Sequence, residues 1–202
     1  MTLWLGKESL VLASQSKARQ MLLARAGITF ESEPADIDER AIQTSSRLSS
    51  PGDIASLLAG EKAKFVSMRR PTQYVIGADQ TLALGSRIFN KPAGRAQAAD
   101  QLRALAGHRH ELHAAIAVAR DGKLMFEHVS VARMTMRPLN DANIDSYLNA
   151  AGNAVTTSVG AYQLEGLGVH LFERIEGDHF TILGLPLLPL FAFLRSEHLL
   201  AV

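Results

Sequence analysis

The chain has 202 residues, 47% of them hydrophobic and 20% charged, which are the proportions of an ordinary globular protein and exclude global disorder. It has no cysteine, so disulfides, thiolate metal sites and a cysteine nucleophile are all excluded. Lysine and arginine number 21 against 20 aspartate and glutamate; a formal net charge of +1 provides no general field for a polyanion, and nucleic acid is not an expected partner. Any phosphate chemistry must come from local basic residues.

This length suits one domain, 1–202, of one or two tightly joined lobes. Lys7, Glu8 and Ser9 interrupt the N-terminal apolar stretch, so it does not read as a signal peptide. No segment approaches the ~18 apolar residues of a membrane span, and the expected location is the cytoplasm. Ser9 to Ala13 predicts a buried strand, followed by the polar turn Ser14-Gln15-Ser16 and a helix from Lys17 to Ala26 that Gly27 stops. Ile28 to Glu33 predicts a second strand, and Asp36-Ile37-Asp38-Glu39 an acidic loop. Ser50, Pro51 and Asp53 form a helix-start signature, with Ile54, Leu57, Leu58, Phe65 and Met68 as the apolar stripe of a helix that also carries Glu61, Lys62 and Lys64. Tyr74 to Ala78 predicts a buried strand that delivers Asp79 at its C-terminal end, where open α/β sheets usually bind ligands.

Further on, Ala93 to Ala106 reads as a helix stopped by Gly107, with Ala98, Leu102 and Leu105 on one face. Asp121-Gly122 between His110–Ala119 and Lys123–Met136 is a two-residue hairpin signal. A polar helix from Asn140 to Ala151 follows, then strands over 161–175 broken by Gly166 and Gly168. Finally, Thr181 to Leu183 leads through Gly184-Leu185-Pro186 into a buried helix. Strands and helices alternate without repeats or linkers, which points to α/β or α+β with a mixed sheet.

Several stock motifs are missing: no glycine-rich loop ends in Gly-Lys-Ser/Thr, and there is no Gly-x-Ser-x-Gly elbow and no His-Glu-x-x-His. Ser14 to Lys17 matches Ser-x-x-Lys, but no Lys-Thr-Gly follows, and four-residue patterns recur by chance. His108, His110 and His113 surround Glu111, yet on a strand His113 points away from the other two, so hydrogen-bonded structural roles are favoured over a metal. Ser14 and Ser16 lie at a strand-to-helix turn, where hydroxyls and free helix N–H groups converge on an anion. Either serine could simply cap the helix; Arg19, one turn on, favours the anion. Taken alone, Asp79 could be a strand-end cap and Lys91-Pro92 a surface turn.

Taken together, Leu12-Ala13-Ser14-Gln15-Ser16-Lys17-Ala18-Arg19, Gly77-Ala78-Asp79-Gln80, Asn90-Lys91-Pro92, Leu105-Ala106-Gly107 with His110, Gly160-Ala161-Tyr162 with Glu165-Gly166, and Glu176-Gly177-Asp178 with Gly184-Leu185-Pro186-Leu187 resemble the Maf family in order and spacing. The resemblance covers nearly the whole chain. It implies an α/β fold related to the inosine triphosphatases: an elongated mixed sheet with flanking helices, two lobes around a cleft, commonly as a homodimer. It also implies hydrolysis of a nucleoside triphosphate to the monophosphate and pyrophosphate. Two departures stand out. Lys17 and Ala18 replace the family's usual Pro-Arg before Arg19, and Gln80 and Glu165 resemble the branch acting on 7-methyl-GTP, which typically has Trp in place of Ala18.

Under this resemblance Ser14, Ser16 and Arg19 grip phosphates, while Lys62 and Lys91, expected to be solvated, neutralise non-bridging oxygens as point charges. Asp79 takes the family's proton-acceptor position. A carboxylate is a weak base toward bulk water, so Mg²⁺ or Mn²⁺ held by Asp79 and by Glu39 or Asp38 is a sensible activator in a chain without cysteine. Gln80 and Glu165 are the expected base-reading residues, Glu165 as an acceptor for guanine's N1–H and N2–H₂. The competing class is a Maf-like scaffold that senses nucleotides or touches division proteins without turnover.

Overall fold

A computed structural model describes residues 3–202. The chain is a mixed α/β structure whose seven-stranded open sheet runs in the order β2-β1-β3-β5-β6-β7, with β4 paired to β3. The strands are β1 (Leu10–Leu12), β2 (Phe30–Ser32), β3 (Val75–Leu84), β4 (Arg87–Phe89), β5 (Arg109–Arg120), β6 (Lys123–Met136) and β7 (Phe172–Glu176). β1 is parallel to both β2 and β3, pairing Leu12 with Ser32 and with Ile76; β3 and β4, like β6 and β7, are antiparallel. The longer helices are α1 (Lys17–Arg25), α2 (Glu39–Ser46), α3 (Pro51–Arg69), α4 (Arg95–Leu105) and α5 (Asp141–Ala151); a single turn, α6 (His179–Ile182), precedes α7 (Leu187–Ser196). No helix among the described residues is long and apolar enough to cross a membrane.

The chain divides into two compact units. The first comprises the residues up to Gln80 together with 114–130 and 183–202, and the second comprises 81–113 and 131–182. In the first, Ala55, Ala59 and Ala63 of α3 pack on Ala115, Ala117 and Ala119 of β5. Small side chains on both sides let the helix lie close to the sheet. Contact with β3 is closer still: a Cβ on Gly77 would stand 2.0 Å from the Ala59 carbonyl oxygen and 2.7 Å from the Ala63 nitrogen, so only glycine admits the helix backbone there. The second unit has its own core, in which Leu102 and Leu105 of α4, Ile144 and Leu148 of α5 and Met134 and Met136 of β6 are fully buried. The β5–β6 hairpin turns on Asp121 and Gly122, both at positive φ (50° and 72°), as the dipeptide signal predicts.

Four expectations need correction. Asp38 and Glu39 do not lie in a loop: the Asp38 carboxylate accepts from the Ala41 N–H at 2.9 Å, and Glu39 is the first residue of α2. Asp79 is not at a strand end, because β3 continues to Leu84 and pairs its last residues with β4; its parallel partner β1 stops earlier, opposite Ile76. Within 161–175 the chain passes through irregular turns and the 3₁₀ segment Leu167–Leu171, and only Phe172–Glu176 extends, as the edge strand beside β6. The buried face of α3 is Ile54, Leu58, Lys62 and Val66 with the alanines, while Met68 is 62% exposed.

Candidate active site

The phosphate-grip candidates are assembled by the turn between β1 and α1. Ser16, in extended conformation, caps α1: its Oγ accepts from the Arg19 N–H at 3.4 Å, so the capping reading holds for this serine. Ser14 is buried, and its Oγ accepts from the Ser16 N–H and from Arg19 Nη1, both at 3.2 Å. The Ser14 carbonyl in turn accepts from Ser32 Oγ at 2.9 Å and from Gln20 Nε2 at 3.4 Å, and Gln20 Nε2 also donates to Ser32 Oγ at 3.1 Å. The turn is therefore held from both sides.

Arg19 reaches further. Its Nε donates to the Gly184 carbonyl at 2.9 Å and its Nη1 to the Ala78 carbonyl at 2.8 Å, which ties α1 to the residue before Asp79 and to the loop that leads into α7. Burial pulls the guanidinium below its ordinary pKa, while the fields of Asp79 and Glu39 oppose that. A Cβ on Gly184 would approach Arg19 Nη2 to 3.3 Å and Gln80 Oε1 to 3.5 Å, which places Gln80, one residue past Asp79, against the same loop.

Lys62 and Asp79 form the centre of the site. Lys62 Nζ stands 2.6 Å from Asp79 Oδ1 and 2.9 Å from Glu39 Oε1. The lysine and Asp79 are 8% and 9% exposed, whereas the Glu39 side chain is 51% exposed. The expectation of a solvated Lys62 is thus overturned: it occupies the buried stripe of α3, one turn after Leu58 and one before Val66, and the Gly77 contact brings that stripe within reach of β3. One ammonium between two carboxylates, with a guanidinium nearby, is a compact array of charges whose balance is zero and whose members are fixed by four separate elements. Lys91 and Glu165 belong to the second unit, where both are exposed. Glu165's charge reinforces the burial that pushes the Tyr147 hydroxyl up to about 12.

His108, His110 and His113 each have a partner within the protein. His110 is 1% exposed; its Nε2 shares a 2.8 Å hydrogen bond with the Tyr162 hydroxyl, and its ring packs against Tyr162 and Phe172. Burial pulls its pKa down to about 4, against a smaller opposing effect of a hydrogen bond with the His108 backbone. His113 pairs with Glu111 at 3.1 Å, and His108 Nδ1 donates to the Ala106 carbonyl at 2.8 Å. Sequence reasoning missed Gln20 and Ser32, since a Gln inside a helix and a Ser on a strand carry no signal of their own. It also missed the burial of Lys62, although the four-residue spacing of Ile54, Leu58, Lys62 and Val66 displays it.

A turn with hydroxyls at a helix start, tied through Arg19 to a buried Lys–Asp pair, is an arrangement suited to an anionic group. The family model described as "Maf-like protein" matches residues 9–197, and the chain belongs to that family. It is 72% identical over 202 residues, covering all of both chains, to a protein of Bradyrhizobium diazoefficiens named nucleoside triphosphate pyrophosphatase. A protein of the same name from Rhodopseudomonas palustris strain CGA009 is 68% identical, again over all of both chains. A protein of Rhizobium etli named 7-methyl-GTP pyrophosphatase is 52% identical over 189 residues, 93% of this chain and 95% of that one.

Proposed function

We propose that this protein hydrolyses nucleoside triphosphates between the α- and β-phosphates, releasing a nucleoside monophosphate and pyrophosphate. The observation that carries the reading is the buried Lys62–Asp79 pair, joined through the Ala78 carbonyl and Arg19 to the Ser14 turn, in a chain 72% identical throughout to a protein of that name. In this mechanism Ser14, Ser16 and Arg19 hold the polyphosphate at the start of α1, and Lys62 and Lys91 offset its negative charge. Asp79 accepts the proton of the attacking water as its oxygen bonds to phosphorus, and pyrophosphate departs with the electron pair of the broken anhydride bond.

Asp79 and Glu39 fit a hard divalent cation, since both are oxygen donors and both already face one cation, the Lys62 ammonium. Mg²⁺ or Mn²⁺ there would supply charge neutralisation and a more acidic water. The Glu165 carboxylate supports a preference for guanine-type bases, because it accepts hydrogen bonds and donates none. Its electrostatic attraction to a cationic 7-methylguanine, together with the Rhizobium etli relative's name, extends that preference to 7-methyl-GTP. The family resemblance supports a cytoplasmic homodimer, which light scattering on the purified protein would check.

A panel of GTP, 7-methyl-GTP, UTP and dTTP with Mg²⁺ or Mn²⁺, read by pyrophosphate release, tests the reading. Turnover is expected with at least one of the four, falling by at least ~100-fold in Asp79→Asn, the scale of removing a general base. No pyrophosphate from any of them, or full activity in the variant, would refute it.

A further inference from the structure

The Ser14 turn is held from the side of the edge strand β2, and the two residues responsible belong to no core. Ser32 is the last residue of β2 and is exposed, and Gln20 is only half-buried. Register places Ser32 opposite Leu12, and the Glu33 N–H donates to the Leu12 carbonyl at 3.1 Å, so the strand ends just where the turn begins. From there the Ser32 hydroxyl and the Gln20 amide both donate to one oxygen, the Ser14 carbonyl, and Gln20 steadies the hydroxyl as well.

A peptide unit is planar and trans, so its C=O and the following N–H point in opposite directions. Anchoring the Ser14 carbonyl toward β2 therefore aims the Gln15 N–H away from β2. Ser14 Oγ and Arg19 Nη1 sit on the same turn, 3.2 Å apart. The turn leads directly into the first turn of α1, whose free N–H groups and positive field favour an anion. Without its two donors the Ser14–Gln15 peptide could rotate, and the turn would have to be reordered each time an anion bound.

We infer that Gln20 and Ser32 are positioning residues that orient the Ser14–Gln15 peptide so that the turn receives the polyphosphate of the substrate. The inference rests on the reading of this turn as the phosphate grip. They touch no substrate themselves, and their loss changes the binding of the polyphosphate tail more than the chemical step.

The test pairs Ser32→Thr, which keeps the hydroxyl and suits a strand, with Ser32→Val, which matches that threonine in shape and lacks the hydroxyl; Gln20→Ala completes the set. Calorimetric titration with inorganic tripolyphosphate needs no turnover. Ser32→Val and Gln20→Ala are each expected to weaken binding about fivefold, the factor that one hydrogen bond of ~1 kcal/mol represents, with Ser32→Thr near wild type. The double variant Ser32→Val/Gln20→Ala is expected to lose less than the product of the two, because the residues share one acceptor and each other. In steady state with GTP, KM should rise by a similar factor while kcat stays within about twofold, the mark of lost uniform binding. Melting temperatures should agree within about 2 °C, since both side chains lie outside the core. Equal losses in Ser32→Thr and Ser32→Val, unchanged tripolyphosphate binding in Ser32→Val, or no binding by the wild-type protein would each overturn the inference. A wild-type protein that binds tripolyphosphate but releases no pyrophosphate refutes the hydrolase reading alone.

Discussion

Replacing Lys62 with alanine should unsettle the fold as well as the chemistry. The ammonium is the charge partner of Asp79 at 2.6 Å, with both residues at or below 9% exposure. Removing one member of a buried pair costs ~3–5 kcal/mol, because the other is left charged in a poor solvent. The field of Arg19 still reaches Asp79, which favours the lower end of that range. The second contact, to the half-exposed Glu39 carboxylate, adds no more than ~0.5 kcal/mol. A loss of about 3 kcal/mol in a chain of 202 residues corresponds to about 6–12 °C in Tm. Calorimetric or circular-dichroism melts at pH 7 measure this directly. The double variant Lys62→Ala/Asp79→Asn should regain part of the loss, since no unpaired charge remains. A single variant melting within about 2 °C of wild type would refute the reasoning, because it would mean that Lys62 is not paired in the folded protein.

Gly77→Ala is expected to deplete soluble protein or cost more than ~3 kcal/mol, because its Cβ would overlap the Ala59 carbonyl at 2.0 Å and lift α3 from β3; denaturant melts check it. For His110, burial lowers the folded-state pKa to about 4 from 6.5, so the unfolded chain binds more protons between these values and stability falls as pH drops from about 6.5 to about 4. The loss approaches ~3 kcal/mol, and His110→Gln should flatten that part of a plot of urea midpoint against pH. Glu165→Gln should shift kcat/KM toward UTP and dTTP relative to GTP and 7-methyl-GTP, and an unchanged profile would remove Glu165 from base selection.

Where local pattern and tertiary packing agree, the sequence discloses the structure. β1, α3, the Asp121-Gly122 hairpin and α5 follow from apolar runs, caps and turn chemistry, and each appears close to its expected bounds. α2 was hidden because none of its residues is buried, so no apolar stripe marks it; its cap, Asp38, was visible only as one acid among several. The extension of β3 beyond Asp79 was hidden for a different reason. Gln80 and Thr81 break the apolar run, and the strand runs on to Leu84 between its sheet neighbours, one of them β4, a three-residue strand too short to announce itself. In the site, the residue types at Ser14, Lys62 and Asp79 were legible, but their partners were not: hydrogen bonds such as Ser32 to the Ser14 carbonyl depend on register between strands.

The exposure of α2 has a consequence for motion. A helix with no buried residue, joined to the buried lysine through a half-exposed carboxylate, can detach at small free-energy cost while α3 beneath it stays folded. Amides of residues 39–46 should therefore exchange with solvent through local opening, whereas those of α3 exchange only when the first unit unfolds. Each opening withdraws one negative charge from Lys62 and leaves Asp79 in place, so the net charge around the ammonium alternates between two values on the timescale of a local fluctuation.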